Sequence, residues 1–135
     1  LDEKIITKIK KLIISEYKKL FDVKDIDINF VSAWTVIGGK YSYHKLHHHI
    51  HGREKKYDNI AVVIYLESPT ERDFHYPGDF YYLYEDKQTT NYIKYKQIQP
   101  VTGTLIVMPS WLLHGALPAL DKRQTLNLEF EMTEL

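Results

Sequence analysis

A chain of 135 residues holds one domain with a modest core, and its 18 lysines and arginines cancel its 18 aspartates and glutamates, so no net field draws it to nucleic acid or an anionic membrane. The absence of cysteine excludes disulfides, thiolate metal sites and thiol nucleophiles, leaving histidine and carboxylate chemistry. No apolar run approaches the roughly 20 residues that a membrane-spanning helix needs, the N-terminal stretch lacks a small-residue cleavage site, and a soluble, cytoplasmic protein is expected.

Over residues 1–21, Leu1, Ile5, Ile9, Leu12, Ile13, Tyr17 and Leu20 recur at spacings of three and four with lysines between them, which predicts an amphipathic helix covering a sheet. Residues 22–25 make a turn. Residues 26–37 alternate around Ile26, Ile28 and Phe30 and predict a strand that carries Trp34, ended by Gly38-Gly39. A strand over residues 41–51 follows, holding His44, His47, His48, His49 and His51. Successive side chains of a strand point to opposite faces, so His47, His49 and His51 share one face and His48 takes the other.

A polar loop over residues 52–59 leads to Ile60-Ala61-Val62-Val63-Ile64-Tyr65-Leu66, whose continuous apolar character predicts a central strand buried on both faces. Tyrosine-rich strands are expected over residues 79–84 and 91–99. Further strands follow over 104–108, 113–117 and 124–132. One helix and about eight short strands separated by turn signals, without repeats, form the pattern of an all-β sandwich or jelly-roll barrel with a helix packed outside. The whole chain, 1–135, reads as one domain, with the helix over 1–21 and the barrel over 26–132.

Two imidazoles on one strand face can grip one metal ion, and a third ligand must come from elsewhere. The downstream candidate is His114, after Pro109-Ser110-Trp111. Arg123 and Thr125 lie nine and eleven residues beyond it and share a strand face. A guanidinium fork beside a hydroxyl matches a carboxylate, because it gives parallel charge-assisted hydrogen bonds and the hydroxyl adds one more.

Taken in order, Trp34, Tyr43-His44-x-x-His47-x-His49, Tyr65-Leu66, Gly78-Asp79-Phe80, Pro100-x-x-Gly103, Pro109-Ser110-Trp111-x-x-His114-Gly115 and Arg123-x-Thr125 resemble the pattern of the 2-oxoglutarate- and Fe(II)-dependent oxygenases, particularly short bacterial and phage forms. The match covers roughly residues 34–130. The resemblance implies a double-stranded β-helix, iron on His47 and His114, and the distal carboxylate of 2-oxoglutarate on Arg123 and Thr125, assisted by Tyr65 or Tyr43. It also implies a dioxygenase that converts 2-oxoglutarate to succinate while hydroxylating an unidentified substrate with dioxygen. At the third ligand most such oxygenases carry aspartate or glutamate where this chain has His49. His49 keeps the family's spacing and completes a set of three imidazoles, while His51, Glu54 and Asp58 are the alternatives; His44 and His48 are not assigned as ligands.

Two other readings use the same strands. A cupin would pair His47 and His49 with Glu54, but would leave Arg123 and Thr125 without a role. A non-catalytic jelly-roll module would leave the histidines without a bound metal.

Overall fold

The computed structural model describes residues 1–20, 25–49, 59–86 and 92–134, and among them the chain runs as one helix followed by eight strands. These are α1 (Glu3–Leu20), β1 (Ile26–Gly38), β2 (His44–His47), β3 (Asn59–Glu67), β4 (Phe80–Asp86), β5 (Tyr92–Ile98), β6 (Leu105–Pro109), β7 (His114–Ala116) and β8 (Arg123–Glu134). They form two four-stranded sheets, ordered β1-β8-β3-β6 and β2-β7-β4-β5, with every strand pairing antiparallel. Among the described residues no ladder joins one sheet to the other, and a closed barrel is not shown. No described helix is long and apolar enough to cross a membrane.

The helix begins where Asp2 accepts the Lys4 backbone N–H at 2.8 Å, satisfying an amide that has no partner within the helix. Glu3 in the first turn and Lys18 and Lys19 in the last complement its dipole. Its buried face differs in phase from the expected stripe. Ile9 and Ile13 are buried, and Ile6 and Ile14 pack beside them against Ile28, Ile60, Val62, Leu128 and Phe130. Leu1, Ile5, Leu12 and Leu20 are exposed. The docked face follows the isoleucines nearest the sheet, and the leucines at the edges of the stripe fall outside it.

Strand β3 lies between β8 and β6, and Ile60, Ala61, Val62, Val63 and Tyr65 are all buried, as a central strand with covered faces requires. Ile60 and Val62 pack toward the helix. Ala61, Val63 and Tyr65 pack with Phe80 and Met108 in a second cluster.

Strand β8, with β1 on one side and β3 on the other, has two faces of different character. Leu126, Leu128, Phe130 and Met132 belong to the helix-side cluster, and alternation turns Arg123, Thr125, Asn127 and Glu129 to the opposite, inner face. Directly opposed residues of an antiparallel pair share a face. Tyr65 therefore flanks Thr125, Val63 flanks Asn127 and Ala61 flanks Glu129.

A β-bulge between Phe30 and Ser32 changes the phase of β1. Phe30 opposes Phe130 on the helix side, whereas Ser32 opposes Glu129 and Trp34 opposes Asn127 on the inner face. One extra residue moves every later side chain to the other face. The bulge thereby turns Trp34 to the inner face, where it remains 38% exposed.

The histidine strand is shorter than its residue pattern suggests. Pairing of β2 with β7 holds only over His44–His47, and His49 lies beyond the strand. Residues 50–58, which include His51, Glu54 and Asp58, lie outside the described residues.

Candidate metal centre

In the second sheet His47 stands directly opposite His114, and His44 stands opposite Ala116. A register irregularity between the two pairs lets His44 and His47, three residues apart, serve the same face. The His47 and His114 rings are 4.4 Å apart between centroids. His49 reaches the same point by another route. Its backbone N–H donates to the Ser110 carbonyl at 2.9 Å, and the Ser110 N–H donates to Asn59 at 2.9 Å. The turn preceding His114 thus tethers the segment that carries His49, whose ring lies 5.2 Å from His47 and 4.9 Å from His114. One ligand nitrogen from each of the three residues falls within 4.8 Å of the others.

The partners of these rings define which nitrogen faces the centre. His47 Nδ1 is 2.6 Å from the Lys45 carbonyl, and His114 Nδ1 is 2.8 Å from the Leu112 carbonyl. A carbonyl oxygen only accepts, so both Nδ1 atoms carry hydrogen and the lone pairs sit on Nε2. His49 Nδ1 donates to the Glu129 carboxylate at 3.0 Å. Three clustered imidazoles held through Nδ1, with their lone pairs on Nε2, suit a borderline divalent ion. Burial pushes the His114 imidazole down to about 4, against the pull of the Leu112 carbonyl and aided by the nearby His47, His44 and His48. The His114 imidazole is therefore neutral at neutral pH, the form that can bind a metal ion.

A narrow cavity adjoins the cluster, lined among others by His44, His47, Tyr65, His114, Arg123, Thr125 and Asn127. Arg123 is 2% exposed. Its Nη2 donates to the Leu117 carbonyl at 2.6 Å, while Nε and Nη1 are buried without a hydrogen-bond partner. A buried charge with unused donors is expensive unless an anion meets it. Thr125 Oγ1 accepts from Asn127 Nδ2 at 3.1 Å, which leaves its hydroxyl hydrogen to donate elsewhere. Burial raises the Tyr65 phenol to about 12, so it too remains a donor. His44 is held below its ordinary value by burial, with the nearby Arg123 guanidinium and His47 imidazole adding to the effect.

Of the residues singled out from sequence, His47, His49 and His114 come together, and Arg123, Thr125 and Tyr65 line the adjoining cavity. Tyr43 is not among the lining residues and is 65% exposed. It precedes His44, whose side chain faces inward, and alternation turns Tyr43 outward. Asn127 and Glu129 carry no role in the sequence reading, and His44 and Phe80, whose ring stacks at 5.7 Å on His114, stand in its motifs without a site role. For Asn127 and Glu129 the signal was present in the polar alternation of residues 123–129.

Comparison of the sequence with protein-family models and with curated proteins gives no match. The fold, in contrast, is similar to that of solved 2-oxoglutarate and Fe(II) oxygenases. A prolyl-4-hydroxylase from Pseudomonas putida matches with a TM-score of 0.62 and 18% identity, over 96% of this chain and 64% of its own. An oxidoreductase of the 2OG-Fe(II) oxygenase family from Burkholderia pseudomallei matches with a TM-score of 0.59 and 18% identity, over 87% and 50%. HygX from Streptomyces hygroscopicus, solved with nickel and 2-oxoglutarate bound, gives 0.63 and 11%, over 96% and 67%. The chain spans less than two thirds of the length of the first two.

Proposed function

We propose that this chain is an Fe(II)- and 2-oxoglutarate-dependent dioxygenase that hydroxylates a substrate C–H bond. The observation that carries the reading is a single cavity with an imidazole lining at one part and, at another, a buried guanidinium whose Nε and Nη1 lack partners. The strand orders β1-β8-β3-β6 and β2-β7-β4-β5 support a double-stranded β-helix as the scaffold.

The residues fit both groups. His47, His49 and His114 would hold the iron through Nε2, and three protein nitrogens leave room in an octahedral shell for two oxoacid oxygens and one further ligand. When bound, iron would supply the redox chemistry by which dioxygen converts 2-oxoglutarate to succinate and carbon dioxide and places its second oxygen atom in a substrate C–H bond. The remaining work falls to the chain. Arg123 offers Nε–H and Nη1–H to the distal carboxylate, and the Thr125 hydroxyl, oriented by Asn127, adds a third donor. Tyr65, protonated across the physiological range, contributes a neutral donor beside them. Val63 and Phe80 line the same cavity and exclude water, so each of these bonds acts in a low dielectric.

Calorimetric titration of 2-oxoglutarate into metal-free and Mn(II)-loaded protein tests the reading. Binding should require the metal and vanish in His114→Ala. Oxoacid binding that ignores the metal, or no binding by folded, metal-loaded protein, would remove it.

A further inference from the structure

Glu129 sits in the middle of β8, flanked by Ser32 of β1 and Ala61 of β3, so its backbone is fixed by hydrogen-bonded neighbours on both sides. Its cross-strand neighbours carry no charge. The carboxylate Oε1 lies 3.0 Å from His49 Nδ1, with the two side chains 14% and 6% exposed. Trp34 flanks the same imidazole, with ring centroids 5.7 Å apart. A carboxylate on the inner face of an internal strand is costly to bury without a partner, and the alternate positions of β8, Leu126, Leu128 and Phe130, belong to the apolar cluster under the helix. The pairing with His49 gives it a purpose.

We propose that Glu129 is a positioning residue that sets the metal affinity of the three-imidazole centre by holding His49 and supplying negative charge to it. The inference rests on the reading of His47, His49 and His114 as ligands. All three are neutral when they bind, so by themselves they leave a divalent ion with its full charge. His47 and His114 donate their Nδ1 hydrogens to neutral carbonyls. His49 alone of the three is shown donating to a carboxylate, which draws its Nδ1 proton outward, raises electron density at Nε2 and fixes the ring plane. Glu129 thus acts on the metal through His49 and does not touch it. His49, the one ligand outside a strand, is also the one that most needs such a restraint.

The test is anaerobic titration of metal-free protein with Co(II), followed by visible absorption and calorimetry, in wild type, Glu129→Gln, Glu129→Ala and His114→Ala. Glutamine keeps an oxygen acceptor and removes the charge; alanine removes both. Wild type should bind one equivalent, Glu129→Gln about tenfold more weakly and Glu129→Ala about 10–100-fold more weakly, with a shifted Co(II) spectrum. The metal-free melting temperature of Glu129→Gln should change little, because the amide oxygen still accepts from His49 Nδ1. Co(II) affinities of both variants within twofold of wild type, or an unchanged spectrum and affinity with lowered melting temperature, would overturn the proposal and leave a merely structural pair. Should Glu129→Ala fail to fold, Glu129→Gln decides alone. A wild type that binds no Co(II), or binds it equally well in His114→Ala, would instead remove the metal centre on which the inference rests.

Discussion

Substitution of Arg123 by methionine separates the oxoacid from the metal. Methionine keeps most of the aliphatic volume of a side chain that is 2% exposed and removes the guanidinium. In wild type two donors, Nε and Nη1, are buried and unpartnered, and hydrogen bonds to charged groups contribute about 1.5–3 kcal/mol each. Two such bonds amount to about 3–6 kcal/mol, or roughly 10²- to 10⁴-fold in affinity at about 1.4 kcal/mol per decade. Water entering the vacated space offsets part of this, which favours the lower end. Fold should survive, because the substitution also removes the cost of burying a charge whose shortest bond is a single one to the Leu117 carbonyl at 2.6 Å. The assay is calorimetric titration of Mn(II)-loaded protein with 2-oxoglutarate, alongside a Mn(II) titration of the metal-free form. Oxoacid affinity should drop by about a hundredfold or more while Mn(II) affinity stays near wild type. An Arg123→Met protein that binds 2-oxoglutarate within about threefold of wild type would refute the assignment of the guanidinium.

Stability should also depend on pH through His114. Its folded value of about 4 lies below the ordinary 6.5, so between these values the unfolded chain binds a proton that the folded chain lacks. The contribution is present in full above pH 6.5 and is lost as pH falls toward 4, at most about 3 kcal/mol; urea unfolding of metal-free protein should show it, and His114→Gln should flatten the slope. Gly115→Ala would place a Cβ 2.8 Å from the His44 carbonyl and 2.7 Å from the Tyr81 hydroxyl, costing about 1–3 kcal/mol by overpacking. Gly39→Ala, with nothing within 4 Å, should leave the melting temperature unchanged, and equal behaviour of the two would contradict the register of β2 on β7. Ile13→Ala should cost about 2–5 kcal/mol, whereas Leu12→Ala, at a site 46% exposed, should cost less than about 1 kcal/mol; reversed magnitudes in thermal melts would restore the leucine face of the helix to the core.

Much of the molecule was legible because its strands alternate and its candidate ligands are of a rare residue type. The central place of β3 follows from its continuous apolar run and the shared face of Arg123 and Thr125 from a period of two, whereas the meeting of His47 with His114 was expected from histidines in two distant segments and from the family resemblance. Three features were hidden. The bulge after Phe30 inverts β1 and carries Trp34 to the inner face, yet Val31 bears no glycine or proline signal that would mark it. The helix phase depends on which isoleucines meet the sheet, and the spacing of Leu1, Ile5 and Leu12 fits a helix equally well. Glu129 looked like any strand carboxylate until β8 gained neighbours on both sides, which put it on the same inner face as Arg123, Thr125 and Asn127.

The central claim is that three imidazoles and a buried guanidinium serve one chelated oxoacid. Its most direct measurement is the visible absorption of the protein on anaerobic addition of ferrous iron and then 2-oxoglutarate. A metal-to-ligand charge-transfer band that appears only with both, saturates at one equivalent and is lost in His114→Ala is the predicted result. Folded protein that binds ferrous iron yet develops no such band with saturating 2-oxoglutarate would contradict the account.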